Sequence, residues 1–450
     1  MTEPAALARD LAATGISGLV ISWADNNGIP RARIAPIGNL PELVERGVGI
    51  TSLFAVFDTH DVITFAHAGL STPSGDVRLI PVVDGLTRLA GQPALAWAPG
   101  RQVAIDGSAW PYDQRGVLEA QVARAAGAGL EIRAGWEIEF VVGLPDDGGE
   151  LRGAHRGPAY SPHALLAIDE FVAALLTDFA GNGLPVNQLH AEFGPSQVEV
   201  SLAASDPVTA ADRQLLARQT IHAAARAHGL RVSFAPLVGV GGAGNGWHLH
   251  TSVWRDGANL LAGDPVRGPG PDGAGYLAGL QRDLPAVAAL TAPSVPSLAR
   301  LRPGMFAGAY VCWGVENREA TLRYVPGSPL LGADHANVEL KVCDASANPY
   351  LALAAVIAAG TAGLADGAAL DEPIQSDPGT WSEQDRSERG LVRLPGTPAE
   401  QEAALLGSDR IRAVLGDDLL GAFVAVRRSD AAWAAERTPE EVVAAHLWRH

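Results

Sequence analysis

Two scarcities mark this chain of 450 residues. It has only two cysteines, Cys312 and Cys343, and of its 33 basic residues only one, Lys341, is a lysine. Two cysteines with no CxxC spacing exclude a disulfide framework beyond one bridge, and they fit a reducing cytosol. No apolar run approaches the length of a membrane span. The N-terminal stretch MTEPAALARDLAATG is acidic and alanine-rich, with no basic start before an apolar core. No signal peptide or membrane anchor is expected, and the expected location is cytoplasmic. Basic charge is short as well. The net charge is −17, which discounts nucleic acid as a partner, because that surface needs excess positive charge.

What is present is a globular composition, 47% hydrophobic and 18% charged, in a chain long enough for more than one domain. Residues 18–37 read as a hairpin, with DNNG supplying the positive-φ turn. Strand-like runs follow at 50–58 and 76–84, and turn residues punctuate the stretch up to Pro111. From Tyr112 the character changes. Helices are expected at about 114–127, 163–180, 207–228 and 348–363, the last apolar and expected to be buried. Strands are expected at 186–193, 197–202, 231–238 and 247–254. Gly/Pro-rich loops fall at 262–274 and 292–296, and the last sixty residues read as helical and charged.

The informative stretch is GWEIEF, residues 135–140. On a strand, Glu137 and Glu139 share one face while Trp136, Ile138 and Phe140 take the other. An amphipathic strand with one wet face would do this; so would a strand that feeds carboxylates to a divalent cation. More residues of the same kind favour the cation. NQLHAEFGPSQVEVS (187–201) carries Glu192 and Glu199 on two strand-like runs; if these form a hairpin, the two carboxylates can face each other. GNGWHLHTSVW (244–254) puts His248 and His250 on one face after glycines that allow close backbone approach. VELKVCD (338–344) puts Glu339 and Lys341 on one face. Arg300, Arg318 and Arg323 lie between, and arginine offers paired donors to phosphate or carboxylate. Five glutamates, a histidine and arginines could hold two divalent ions and a polyphosphate, which points to metal-assisted phosphoryl chemistry.

The ordered set GWEIEF, HAEFGPSQVEV, GNGWHLHTS, RLRPG, ENREATLR and VELKVCDASANPYLALAA resembles the glutamine synthetase family over nearly the whole chain. The resemblance implies an α+β fold, with a small N-terminal β-grasp domain (1–108) and a larger catalytic domain (109–450). It also implies a dodecamer of two hexameric rings, with active sites between neighbouring subunits. By motif, Glu139, Glu192 and Glu199 would hold one Mg²⁺ or Mn²⁺, and Glu137, His248 and Glu339 a second, nearer the ATP phosphates. Arg318 and Arg323 match phosphate-neutralising arginines, His250 and Ser252 the nucleotide side, and Arg300 the clamp on the α-carboxylate of glutamate. The family chemistry moves the γ-phosphate of ATP to the γ-carboxylate of glutamate, and an amine then displaces phosphate.

Four positions depart from the family pattern. Family members that use ammonia carry a loop glutamate just after RLxPG; here Phe306 stands in its place, and a phenyl ring cannot accept a proton. An ammonium-binding aspartate of the N-terminal domain aligns with Thr51 or Ser52. Ala243 takes the place of an asparagine, with Asn245 two residues on as a substitute and Gly246 beside it at the acid-substrate site. Lys341 replaces an arginine. The tyrosine that some members adenylylate has no counterpart, since no tyrosine follows Tyr350. The expected function is an ATP-dependent ligase joining glutamate to a primary amine larger than ammonia. The alternatives are an ammonia-using glutamine synthetase, a ligase for another acid, and a catalytically silent scaffold. Asp58, His60 and Asp61 are the candidate bases for the amine, by proximity to Thr51 alone.

Overall fold

The structure is a computed structural model that describes residues 3–72, 74–145 and 151–450. The chain is α+β and forms two main sheets. In the first, strands Pro30–Pro36, Gly18–Ala24, Leu95–Val103, Asp76–Pro81 and Val48–Thr51 lie side by side in that order. Gly18–Ala24 pairs parallel with Leu95–Val103 and every other pair along this path is antiparallel. Helices Pro4–Ala13 and Leu40–Arg46 give Leu11, Leu40 and Leu43 to its own apolar core, with Leu19, Ile21 and Leu79.

The expected hairpin is there. Asp25 accepts the Asn27 and Ile29 amides, and Gly28 turns at φ +67°. A Cβ on Gly28 would lie 2.3 Å from the Ala347 carbonyl oxygen, so only glycine fits where this turn meets the second sheet's surroundings. The Asn348 side chain fastens the same junction by donating to the carbonyls of Ala24 and Asp25.

The second sheet positions the site. Its path runs Trp313–Val315, Leu322–Val325, Asn337–Leu340, Leu249–Arg255, Glu131–Leu144, Gln197–Leu202, Val186–Ala191. The long strand Glu131–Leu144 is at the centre. Trp136, Ile138 and Phe140 are buried on its apolar face, and Trp136 Nε1 donates to the Ala210 carbonyl of helix Pro207–Ala227. That helix is opened by Asp206, which accepts the Thr209 amide. Helix Pro349–Asp366 is capped by Asn348 and stopped by Gly367 in the left-handed region. It is long and apolar enough to cross a membrane, but two thirds of it is buried inside the protein, 67%, so it is a core helix. It crosses helix Pro271–Thr291 at backbone contact: a Cβ on Gly363 would lie 2.3 Å from the Gly279 Cα.

Several expected elements are shorter than the sequence pattern. The 50–58 run is a strand only to Thr51, whose hydroxyl caps the following 3₁₀ turn Ser52–Val56. The 76–84 run ends as a strand at Pro81. The 163–180 helix is two, Pro162–Leu166 and Asp169–Gly181, broken at Ile168, whose φ is −136°. The 231–238 strand stops at Ser233, because Ser233 Oγ draws in the Ala235 amide and Pro236 has no N–H to extend the ladder. Both cysteines are buried and unpaired with each other.

Candidate active site

Register lays the polar groups across one face of the second sheet. Arg323 is paired with Glu339, and Glu339 with His250. Glu139 is paired with Glu199, and Glu199 with His190. Between them the Glu137 amide donates to the His248 carbonyl and the Glu139 amide to the Gly246 carbonyl. The alternation that hides Ile138 and Phe140 therefore aims Glu137 and Glu139 into one cavity of about 500 Å³. Its lining includes Glu137, Glu139, Glu192, Glu199 and His248, together with the cations Arg300, Arg318, Arg323 and Lys341.

Two clusters stand out. The donor atoms of Glu137, His248 and Glu339 lie within 4.8 Å of one another, as do those of His190, Glu192 and Glu199. Carboxylates with one imidazole are the donor set that Mg²⁺ or Mn²⁺ accepts. Electrostatics fit a cation as well. Burial pushes the Glu139 carboxyl up to about 7, and the charges of Glu199 and Glu192 add to that push against the pull of His248. Burial also opposes ionisation of Glu137, yet hydrogen bonds from His248 and His250 hold it well below the usual carboxylate range. Glu339 is lowered too, against its burial, by Lys341, His248 and His250. Lys341 Nζ is 2.7 Å from Glu339 Oε1, and Arg323 Nη1 is 3.0 Å from Glu339 Oε2.

A second cavity of about 520 Å³ opens on the other side of Glu137 and is lined by His250, Ser252, Asn337, Arg133 and Trp254 among others. His250 bridges Asn337 Oδ1 (2.8 Å) and Glu137 Oε1 (3.3 Å). Glu137 and Gln188 line both cavities, so a group passed between them would pass beside Glu137.

Other sequence candidates fall elsewhere. Asn245 is buried and lines neither cavity; its amide donates to the carbonyls of Ser233 and Ala235, and its Oδ1 accepts from Gln197. It is a brace behind the wall, whereas Ala243 lines the cavity. Gly246 gives its amide to Glu139 Oε2. Glu192 and Glu199 do not face each other directly. Glu192 follows the strand end and pairs through its amide with Gln197, while His190 takes the position opposite Glu199. Thr51 lines neither cavity of its own chain. Asp58, His60 and Asp61 are equally remote: Asp58 accepts the His60 and Val62 amides, His60 stacks on Trp433, and Asp61 pairs with Arg31 and Arg449.

Sequence reasoning passed over four residues. His190 sits two positions before Glu192, and Gln197 two before Glu199, so strand periodicity could have found both. Gln197 Nε2 is within 2.9 Å of Glu139 Oε2, Asn245 Oδ1 and the Gly244 carbonyl. Tyr160, whose hydroxyl donates to Glu192 (3.2 Å), and Phe193 reach the rim from separate loops; neither carries a local signal. Arg300 lines the cavity wall, with Nη2 donating to the Cys343 carbonyl at 2.9 Å.

The model of the glutamine synthetase catalytic domain matches residues 111–444. A gamma-glutamylpolyamine synthetase, GlnA3, of Streptomyces coelicolor is 43% identical over 448 residues, covering 99% of this chain and 96% of the relative. A glutamine synthetase of Pyrococcus abyssi is 28% identical, covering 88% and 86%. Among solved structures, a glutamine synthase homologue matches with a TM-score of 0.85 at 31% identity, over 97% of this chain and 99% of that one. GmaS in complex with ADP matches with a TM-score of 0.84 at 25% identity, over 98% of each. With the fold, the ordered motifs and the matched length in agreement, the chain belongs to the glutamine synthetase family.

Proposed function

We propose that this protein is a cytoplasmic, ATP-dependent ligase that joins the γ-carboxylate of glutamate to a primary amine in preference to ammonia, through γ-glutamyl phosphate. The observation that carries the reading is Phe306. It stands at the rim of the acidic cavity, 57% exposed, where an ammonia-using enzyme needs a proton acceptor. Tyr160 and Phe193 share that rim. Aromatic faces above carboxylates suit an alkylammonium group better than ammonium, since the rings contact both the carbon chain and the charge. The 43% identical relative acts, by its name, on polyamines, and a di- or polyamine is the substrate class favoured here.

In this reading Glu137, His248 and Glu339 hold one divalent ion, and Glu192 and Glu199 with Glu139 hold another. The ions supply charge neutralisation as phosphate moves, and Mg²⁺ or Mn²⁺ would serve. Nucleotide occupies the cavity of His250 and Ser252, and Arg318 and Arg323 neutralise the transferring phosphoryl group. Arg300 clamps the α-carboxylate of glutamate. The P–O bond to ADP breaks as the bond to the γ-carboxylate oxygen forms. The amine, having lost one proton to become the free base, then attacks the acyl carbon; phosphate leaves with the acyl C–O bond's electron pair, and the nitrogen gives up a second proton to solvent or phosphate. A dodecamer of two hexameric rings is part of the proposal, with domain 1–108 of one subunit bringing Thr51 to the catalytic domain 109–450 of its neighbour.

The test is phosphate release from ATP with Mg²⁺ and glutamate across ammonium, methylamine, ethanolamine, putrescine and spermine, with product masses recorded. Release driven by an organic amine well above ammonium, together with the γ-glutamyl amide mass, is expected. Strongest release with ammonium would return the protein to ordinary glutamine synthesis.

A further inference from the structure

The loop 303–308, which brings Phe306 to the cavity, has a costly backbone. Gly304, Phe306 and Gly308 all take positive φ, +74°, +52° and +71°. For glycine this is free; for a bulky aromatic residue it is strained and persists only where the surroundings impose it. The residue that imposes it is Glu319. Its Oε1 accepts the Phe306 amide at 2.8 Å. Glu319 is only 8% exposed and does not line the cavity. It is itself held by Asn317, whose Oδ1 accepts the Glu319 amide and whose Nδ2 donates to the carbonyls of Ile374 and Ser376. Both ends of the loop are packed tightly. A Cβ on Gly379 would fall 2.3 Å from Pro303 Cβ, and one on Gly308 would fall 2.7 Å from Thr321 Oγ1.

We infer that Glu319 is a positioning residue that fixes the 303–308 loop, so that the Phe306 ring is a preformed wall and the site selects amines with a carbon chain beyond the reacting nitrogen. The inference rests on the ligase reading. A loop that had to order on each binding event would charge that entropy against every amine. A loop already tied by a buried carboxylate gives its ring surface to the methylenes of a long amine. A nucleophile without a carbon chain has nothing to gain from the ring.

The experiment compares putrescine with hydroxylamine as nucleophile, at saturating ATP, Mg²⁺ and glutamate, in wild type, Glu319→Ala, Glu319→Gln and Phe306→Ala. Hydrogen exchange of the loop amides and thermal melting are recorded for each. Glu319→Ala is expected to speed exchange at 303–308. It should lower the putrescine-to-hydroxylamine ratio of kcat/KM about tenfold, mainly through the amine KM. Glu319→Gln keeps one acceptor oxygen and should fall between. Phe306→Ala should lower the ratio as far without speeding exchange as much. Equal losses for both nucleophiles, or an unchanged ratio in a folded Glu319→Ala, would overturn the inference. Should Glu319→Ala not fold, an unchanged ratio in both Glu319→Gln and Phe306→Ala would do the same. A wild-type enzyme that makes neither the amide nor the hydroxamate removes the ligase reading and this inference together, whereas an active enzyme with unaltered ratios removes this inference alone.

Discussion

Glu139 and Glu199 are register partners on adjacent antiparallel strands, with their carboxylates on the same face. Their neighbours Ile138, Phe140, Val198 and Val200 are fully buried on the other face. A one-residue slip of Gln197–Leu202 would turn Val198 and Val200 out and Glu199 onto the apolar side, so the hydrophobic pattern fixes the register and imposes the charge repulsion. The fold thus holds two acids together at an energetic cost that a cation bound between them would relieve.

Glu139→Ala is therefore expected to abolish turnover while leaving the fold intact. It also has a signature independent of activity. A ligand that binds only the native state stabilises by about 2.7 kcal/mol at a hundred times its Kd. Millimolar Mg²⁺ or Mn²⁺ should raise the Tm of wild type, and raise that of Glu139→Ala much less. Chelation with EDTA should stop turnover in wild type and return its Tm to the metal-free value. Near-wild-type activity in Glu139→Ala would contradict the metal assignment.

Gln197 offers a second handle. Its one amide nitrogen serves Glu139, Asn245 and Gly244, and its Oε1 accepts the Gly194 amide. Gln197→Ala leaves those buried partners unsatisfied, at about 1–3 kcal/mol of stability. Because the bond orients a candidate ligand, divalent-ion affinity should fall about 10–100-fold, read by Mn²⁺ titration in electron paramagnetic resonance. Unchanged Mn²⁺ binding would make Gln197 purely structural.

Much of the site was legible because strands write their geometry with a period of two. GWEIEF placed Glu137 and Glu139 on one face, and HLH placed His248 and His250 on one face; in the fold both histidines reach Glu137. The same rule applied to QLHAE would have exposed His190, which the eye passes over beside the louder glutamates. Asn245 stands apart from the cavity for a physical reason. Its neighbours are glycines that suggest a ligand contact, but in the fold its amide is consumed by the backbone of residues 233 and 235. Tyr160 and Phe193 meet at the rim through loops that no periodicity governs. Glu319 sits inside the stretch ENREATLR, yet its bond to Phe306 spans 13 residues and depends on a left-handed backbone that sequence does not announce.

The lone lysine is expected to matter for its charge more than for its shape. Lys341 Nζ contacts Glu339 inside the cavity wall, and both side chains are nearly inaccessible. Breaking a buried pair from one side leaves an uncompensated charge. Lys341→Gln should lower kcat/KM for glutamate by about tenfold or more, while Lys341→Arg, which keeps the charge on a bulkier planar fork, should lose less than about tenfold. Equal losses in the two variants, measured by coupled ADP release, would show that packing rather than charge decides.

Acid should destabilise the protein through a histidine far from the chemistry. His446 is buried, and burial holds its imidazole down to about 4; its Nδ1 is 2.7 Å from the Val442 carbonyl, and His60 and Trp433 pack edge-on against it. The unfolded chain takes up this proton near pH 6.5, and the folded chain refuses it until about pH 4. The unfolded state thus binds more protons across that window, so the stabilising contribution is complete above pH 6.5 and is lost as pH falls toward 4. The loss is on the order of 3 kcal/mol, at roughly 1.4 kcal/mol for each pH step of one across the window. Urea unfolding of wild type from about pH 7.5 to about pH 4.5 should show a decline that is shallower in His446→Leu. Parallel declines in the two proteins would place the acid sensitivity elsewhere.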